Sequence, residues 1–222
     1  MASDDSADVD GAAAVDASGV VPAGHFTTWL GEIRRAIDGV GDADVPCGGC
    51  TACCTASQFV HVDPDEADAL AHIPAALLFP APGSPPGHRL MGYDEHGRCP
   101  MLVDGSCSIY PHRPRTCRTY DCRVFAAADV VDDDPTKAAI AARARRWRFD
   151  EPTEDDVVRH GAVRAAAAFL AEHAAELPDR LAPRTATQRA VLAVDLAGLF
   201  EGRGKVGADE VAAAMGRATR TR

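Results

Sequence analysis

Cys47-Gly48-Gly49-Cys50-Thr51-Ala52-Cys53-Cys54 is the stretch on which the reading of this chain turns. Cys99, Cys107, Cys117 and Cys122 follow it, and the rest of the sequence contains no cysteine. A thiolate is a soft ligand that selects zinc, Cu(I) or iron–sulfur clusters over hard cations. A C-x2-C pair sets two sulfurs on one tight turn, and Gly48 and Gly49 let the backbone fold back there. Cys47, Cys50 and Cys53 extend the pair to C-x2-C-x2-C, the spacing that bacterial ferredoxins use at a cubane cluster, with a distant Cys-Pro as the fourth ligand. Cys99-Pro100 supplies such a pair. Vicinal Cys53 and Cys54 project differently from an extended backbone and suit two neighbouring centres better than one. The eight thiolates then allow two four-thiolate zinc sites, one [4Fe–4S] cluster with thiols to spare, or a compact polynuclear centre. Spacing alone leaves all three open. The triplet and the surplus thiols tilt the reading towards iron–sulfur. The C-x3-C-x2-C triad of radical SAM enzymes is absent.

With 222 residues the chain has room for one ordinary core, or for a metal-stapled unit joined to a helical one. Its formal charge of −10 and pI near 5.2 disfavour nonspecific binding to nucleic acid or to an anionic membrane surface. Lys137 and Lys205 are the only lysines, so arginine carries nearly all the positive charge. The segment after Met1 has neither a basic nor an apolar signal region, and no stretch approaches the roughly 20 apolar residues of a membrane span. The expectation is a cytoplasmic protein whose thiols stay reduced. An even cysteine count would also fit four disulfides, but compartment and spacing both weigh against them.

The expected architecture is α+β: a small irregular cysteine-rich metal-binding unit with short β-hairpins, followed by a C-terminal helical region. Residues 1–22 read as a disordered acidic tail, 23–126 as the cysteine-cluster domain and 127–222 as the helical region. A helix is predicted from His25 to Val40, capped by Thr27 or Thr28, with Phe26, Leu30, Ile33 and Ile37 as its apolar stripe. Gln58 to Val62 alternates like a strand. Asp63-Pro64 then reads as the cap and first position of a helix to about His72. Phe79 to His88 reads as loop. Arg89–Tyr93 and Arg98–Val103 read as a hairpin about the Asp94–Gly97 turn, with a second turn at Asp104–Ser106. Helices are predicted over 135–148, 154–177, 187–200 and 208–215. Val158, Ala162, Ala165, Phe169, Leu192, Leu196 and Leu199 face their core.

The two cysteine sets carry a resemblance. The first is the box at Cys47–Cys54. The second is Cys99-Pro100-Met101-Leu102, then Cys107-Ser108-Ile109-Tyr110, then Arg113-Pro114-Arg115-Thr116-Cys117-Arg118 and Cys122. Over about residues 45–125 the chain resembles the YkgJ-type cysteine-cluster proteins, zinc- or iron-chelating and marked by a CxxCxxCC box. The resemblance implies metal binding through Cys47, Cys50, Cys53, Cys54, Cys99, Cys107, Cys117 and Cys122. It also implies kinship with flagellin lysine N-methylases, in which a similar box accompanies a longer chain.

Other residues carry competing readings. Arg113, Arg115 and Arg118 flank Cys117 and either donate to thiolates, offsetting the −2 charge of a four-thiolate zinc site, or pair with surface carboxylates. Tyr110 and Tyr120 read as core or lid residues over the metal. His61, His96 and His112 lie in the metal-binding segment, but with eight thiols at hand they are not needed as ligands. Arg143-Ala144-Arg145-Arg146-Trp147-Arg148 reads as a solvated face with Trp147 docked on the core rather than as an RNA contact. Asp132–Asp134 before Pro135 reads as a helix cap. The C-terminal helices offer a face for a protein partner. The reading is a metal-binding protein. An enzyme related to the lysine methylases or using the cluster for redox, and a structural-zinc interaction module, are the alternatives.

Overall fold

The structure is a computed structural model and describes residues 19–43, 45–202, 204 and 206–221. Residues 1–18 of the expected tail lie outside the described residues. Val21 and Pro22, assigned to that tail, instead open strand β1 (Val21–His25). The strand pairs in parallel with β7 (Trp147–Asp150), Val21 opposite Trp147. The polar residues before it mask the signal, because the alternation of buried Val21 and Ala23 is too short and too weakly apolar to stand out.

Helix α1 (Phe26–Ile37) follows β1 directly and buries Phe26, Trp29, Leu30, Ile33 and Ala36. Its cap comes from across the fold. Thr27 donates both its backbone N–H and its hydroxyl to Asp156 Oδ1, at 2.9 and 2.7 Å. Asp156 belongs to α6 (Glu154–Glu172), where it forms a capping box with Thr153. One buried carboxylate thus satisfies the N-terminal donors of two helices.

The predicted 135–148 helix breaks into three pieces: a 3-10 turn at Pro135–Lys137, helix α5 (Ala138–Ala144) and β7. Asp134 caps the turn by accepting from Thr136 N–H. Beyond Ala144 the ladder offered by β1 and the burial of Trp147 override helix propensity. On α6 the apolar face holds Ala162, Val163, Ala166, Ala167 and Leu170, while Val158 and Ala165 are exposed. An alanine-dense helix supports several stripes equally well, and the structure selects one rotated from the expected face. Helices α7 (Ala186–Leu196) and α8 (Ala208–Thr221) complete the layer. Before α5 come α3 (Arg115–Thr119), which carries Cys117, and α4 (Arg123–Ala128), which Cys122 precedes. One core joins β1, α1, α4, α5, β7, α6, α7 and α8, from Val21 to Met215, so the apolar packing runs across residue 126.

A second, smaller core contains Val60, Val62, Ala69, Ile73, Met91, Met101 and Ile109. It lies under a three-stranded sheet in the order β2 (Val60–Val62), β4 (Arg89–Met91), β3 (Leu78–Pro80). The expected loop at Phe79 therefore begins as a strand. The expected hairpin is corrected too: Arg89–Met91 pairs with β2 and β3, not with Arg98–Val103. The Asp94–Gly97 turn does form, with Asp94 Oδ1 accepting from His96 and Arg98 N–H. Here the turn chemistry was legible and the strand partner was not. The two-residue hairpin of β5 (Leu102–Val103) and β6 (Ser106–Cys107) matches expectation. Helix α2 (Ala67–His72) starts after the Asp63-Pro64-Asp65 turn rather than at Pro64. No described helix is long and apolar enough to cross a membrane.

Candidate metal centre

The box at Cys47–Cys54 follows the loop that leaves α1. Gly48 has φ of +53°, and Cys50 N–H closes the turn on Cys47 O at 3.0 Å. A 3-10 turn, Ala52–Thr55, then carries Cys53 and Cys54. Cys99 is tied to the box by its N–H on Cys54 O at 2.7 Å. Cys107 ends β6, Cys117 lies within α3, and Cys122 precedes α4. All eight are free thiols. Seven of them, all but Cys122, line one cavity of 210 Å³ together with Gln58, Phe59, Tyr110, Arg113 and Tyr120.

The thiols act on one another in two sets. Cys53 is raised by burial, then by Cys122, Cys47, Cys54 and Cys50. Its residue has an exposed face, yet the sulfur itself is crowded among those neighbours. Cys122 is pushed up to about 12 by burial, and the thiols that act on it are Cys47 and Cys50. Cys117 is pushed up to about 12 by burial and then by Cys99, Cys54 and Cys107. Cys54 reaches about 11 through burial, Cys99, Cys107 and then Cys50. Cys47, Cys50, Cys53 and Cys122 thus form one neighbourhood, and Cys54, Cys99, Cys107 and Cys117 the other. The boundary falls at the Cys53–Cys54 peptide bond, across which Cys54 acts on Cys53 and Cys50 acts on Cys54. Each set leans on a different core: Cys122 belongs to the large one, and Cys99, Cys107 and Cys117 pack against the small one.

The donors around the sulfurs suit thiolates. Trp147 Nε1–H donates to Cys122 Sγ at 3.2 Å, and the backbone N–H groups of Met101 and Leu102 stabilise a Cys99 thiolate. Arg113 lines the cavity, stacks over Tyr110 at 3.6 Å, and favours the charged forms of Cys47, Cys54 and Cys117. Arg115 and Arg118 take the other expected course, pairing with Asp63 and Asp42 at 3.1 and 3.0 Å. Arg143 lies over the buried Trp147 ring at 4.4 Å and also favours the Cys47 thiolate. That agrees with the docked-tryptophan reading of the arginine run. Tyr110 is largely exposed, while burial raises the Tyr120 hydroxyl. His96 is exposed beside Glu95 at the turn. His61 and His112 face Asp63 and Asp68 instead of the thiols.

A buried pair missing from the sequence reading holds the Cys122 end. Asp121 Oδ2 accepts from Trp29 Nε1 at 2.8 Å and lies 2.8 Å from an Arg123 terminal nitrogen, while Arg123 reaches Ala23 O at 3.1 Å. A charged pair flanking a cysteine was the available signal; its partners Trp29 and Ala23 are too distant in sequence to be foreseen.

This arrangement brings soft donors, amide and indole N–H groups and a guanidinium to one place, which is what a thiolate-bound metal needs. Comparison with known families agrees. Residues 46–137 match the CxxCxxCC family. Its description is "Putative zinc- or iron-chelating domain". The matched segment includes all eight cysteines and runs through α4 to the 3-10 turn before α5. No curated protein and no solved structure matches the chain. Residues 46–137 are thus similar to a family described as zinc- or iron-chelating, and their donor set fits such a metal.

Proposed function

We propose that the chain is a metal-binding protein in which Cys47, Cys50, Cys53 and Cys122 hold one centre and Cys54, Cys99, Cys107 and Cys117 a second beside it. The observation that carries this reading is the packing of Cys122 in the large core and of Cys99, Cys107 and Cys117 against the small one, and the thiols acting on Cys122 and on Cys117 all come from their own set. Bound metal would supply Lewis acidity or electron storage. Trp147, Met101 and Leu102 would orient and stabilise the sulfurs, and Arg113 would offset their charge.

Iron–sulfur clusters are favoured over single zinc ions by the Cys47-x2-Cys50-x2-Cys53 triplet, the spacing that bacterial ferredoxins use at a cubane cluster. The deciding experiment is metal and acid-labile sulfide analysis with a visible spectrum, on protein purified without oxygen. Brown protein with iron and sulfide supports the reading. Colourless protein with two zinc ions refutes the cluster while leaving the two centres standing.

A second reading, an enzyme that uses the centre, rests on Trp147. Its indole touches Cys122, and the same residue lines a separate cavity of 610 Å³ with Arg145, Arg148 and Arg164. That cavity gives a substrate room next to the ligand. If the chemistry is methyl transfer, calorimetry detects S-adenosylmethionine binding; no heat with the loaded protein rejects that version.

A further inference from the structure

We propose that His61, Asp63 and His88 form a further metal site, independent of the thiols, that takes one divalent transition-metal ion. The ladder builds it. His61 on β2 and Asp63, one residue past its end, are two residues apart, so continuing the strand's alternation sets their side chains on the same side. That side is opposite to Val60 and Val62, which are buried in the small core. Continuing the register of Val62 with Arg89 by one step sets Asp63 across from His88.

The three ligand atoms lie within 4.8 Å of one another. Asp63 Oδ1 is 3.1 Å from His61 Nδ1 and 3.0 Å from His88 Nδ1. Hydrogen bonding does not account for the approach at His88: its Nδ1 is buried and has no partner in hydrogen-bond geometry, although Oδ1 is so near. The nitrogen is aimed beside the carboxylate, where a shared ion would sit. Metal bonds of about 2.1 Å across the two His–Asp separations subtend about 90°, nearer the octahedral than the tetrahedral angle. Two imidazoles and one carboxylate leave further positions to water or an added ligand, a donor set that Fe(II) takes and that accepts Co(II), Ni(II) or Zn(II) as well.

Asp63 is held for this role. Its other oxygen takes Arg115 at 3.1 Å, and its N–H donates to Glu66 Oε2 at 2.9 Å, so Oδ1 stays turned to the rings. The trio Asp68–His72–His112 differs. Its rings are stacked 3.5 Å apart, and both Nδ1 atoms hydrogen-bond to Asp68, to its backbone O at 2.8 Å and to Oδ2 at 2.9 Å. Those bonds already explain it.

The test is titration of Co(II) into full-length protein whose thiol centres are already filled. Wild type binds one further equivalent, with weak visible d–d bands and no sulfur-to-cobalt charge-transfer band. His88→Gln and His61→Gln each weaken that binding at least about tenfold, whereas His96→Gln leaves it unchanged. Either failure to take up the extra equivalent, or its retention in both His61→Gln and His88→Gln, overturns the site. A strong charge-transfer band also overturns it, since the ion has then gone to cysteine. Far-UV circular dichroism and an unchanged metal content of the thiol centres report that each variant is folded.

Discussion

Asp121 joins a thiolate site to the packed interior at the scale of a single side chain. It accepts from the buried Trp29 indole and pairs with the buried Arg123 guanidinium, one residue either side of Cys122. Removing one partner of a buried pair leaves a desolvated charge and costs about 3–5 kcal/mol. Asp121→Ala should therefore lower stability by that amount in chemical denaturation and also loosen the Cys122 end of its centre. Cys50→Ser tests the ligand set directly: metal content and melting temperature should fall together, and a variant unchanged in both removes Cys50 from the set. Gly97 is a quieter case. Its φ is +75°, and a Cβ there would lie 2.2 Å from Ser57 Oγ, where the Asp94 turn meets the loop leaving the box. Gly97→Ala should cost more than about 1 kcal/mol through backbone strain and displacement of Ser57.

Among elements, Asp156 serves both α1 and α6. Hydrogen bonds from Thr153 and Thr27 hold its carboxyl below the usual range. A depressed folded pKa gives stability that is complete above the ordinary aspartate value, about 3.9, and is lost as pH falls from there through the folded value. Asp156→Asn should therefore flatten the fall in melting temperature between about pH 5 and pH 3. Thr153→Ala, which removes the α6 cap but leaves the carboxylate, should cost about 1 kcal/mol. Both follow from differential scanning calorimetry. At this scale the sequence was legible where a signal is local. The eight cysteines, the α1 stripe, the Asp94 and Asp104 turns and the Asp134 cap were all readable. Long-range choices were not. Parallel pairing of β1 with β7 and the docking of Arg89–Met91 between two strands depend on residues far apart, which no short window contains. His61 and His88 escaped notice as a pair for the same reason.

For the whole molecule, the thiols sit where two cores of unequal size meet. The large one has its own helices and buried aromatics. The small one rests on three-residue strands and few apolar side chains, too little to be stable alone. Stripping metal with a chelator under reducing conditions should melt the small core first. Amide exchange in β2, β3 and β4 should then rise sharply while α6 and α7 stay protected. Uniform loss of protection in both regions would show one cooperative unit instead.

The single peptide bond between Cys53 and Cys54 carries a consequence for assembly. A metal captured by one set freezes the backbone dihedrals on its own side of that bond, and the neighbouring thiol inherits part of the ordering already done. The second capture then meets a smaller entropic barrier than the first. Loading should be all-or-none: native mass spectrometry of a half-titrated sample would show empty and full molecules, with the half-filled form scarce.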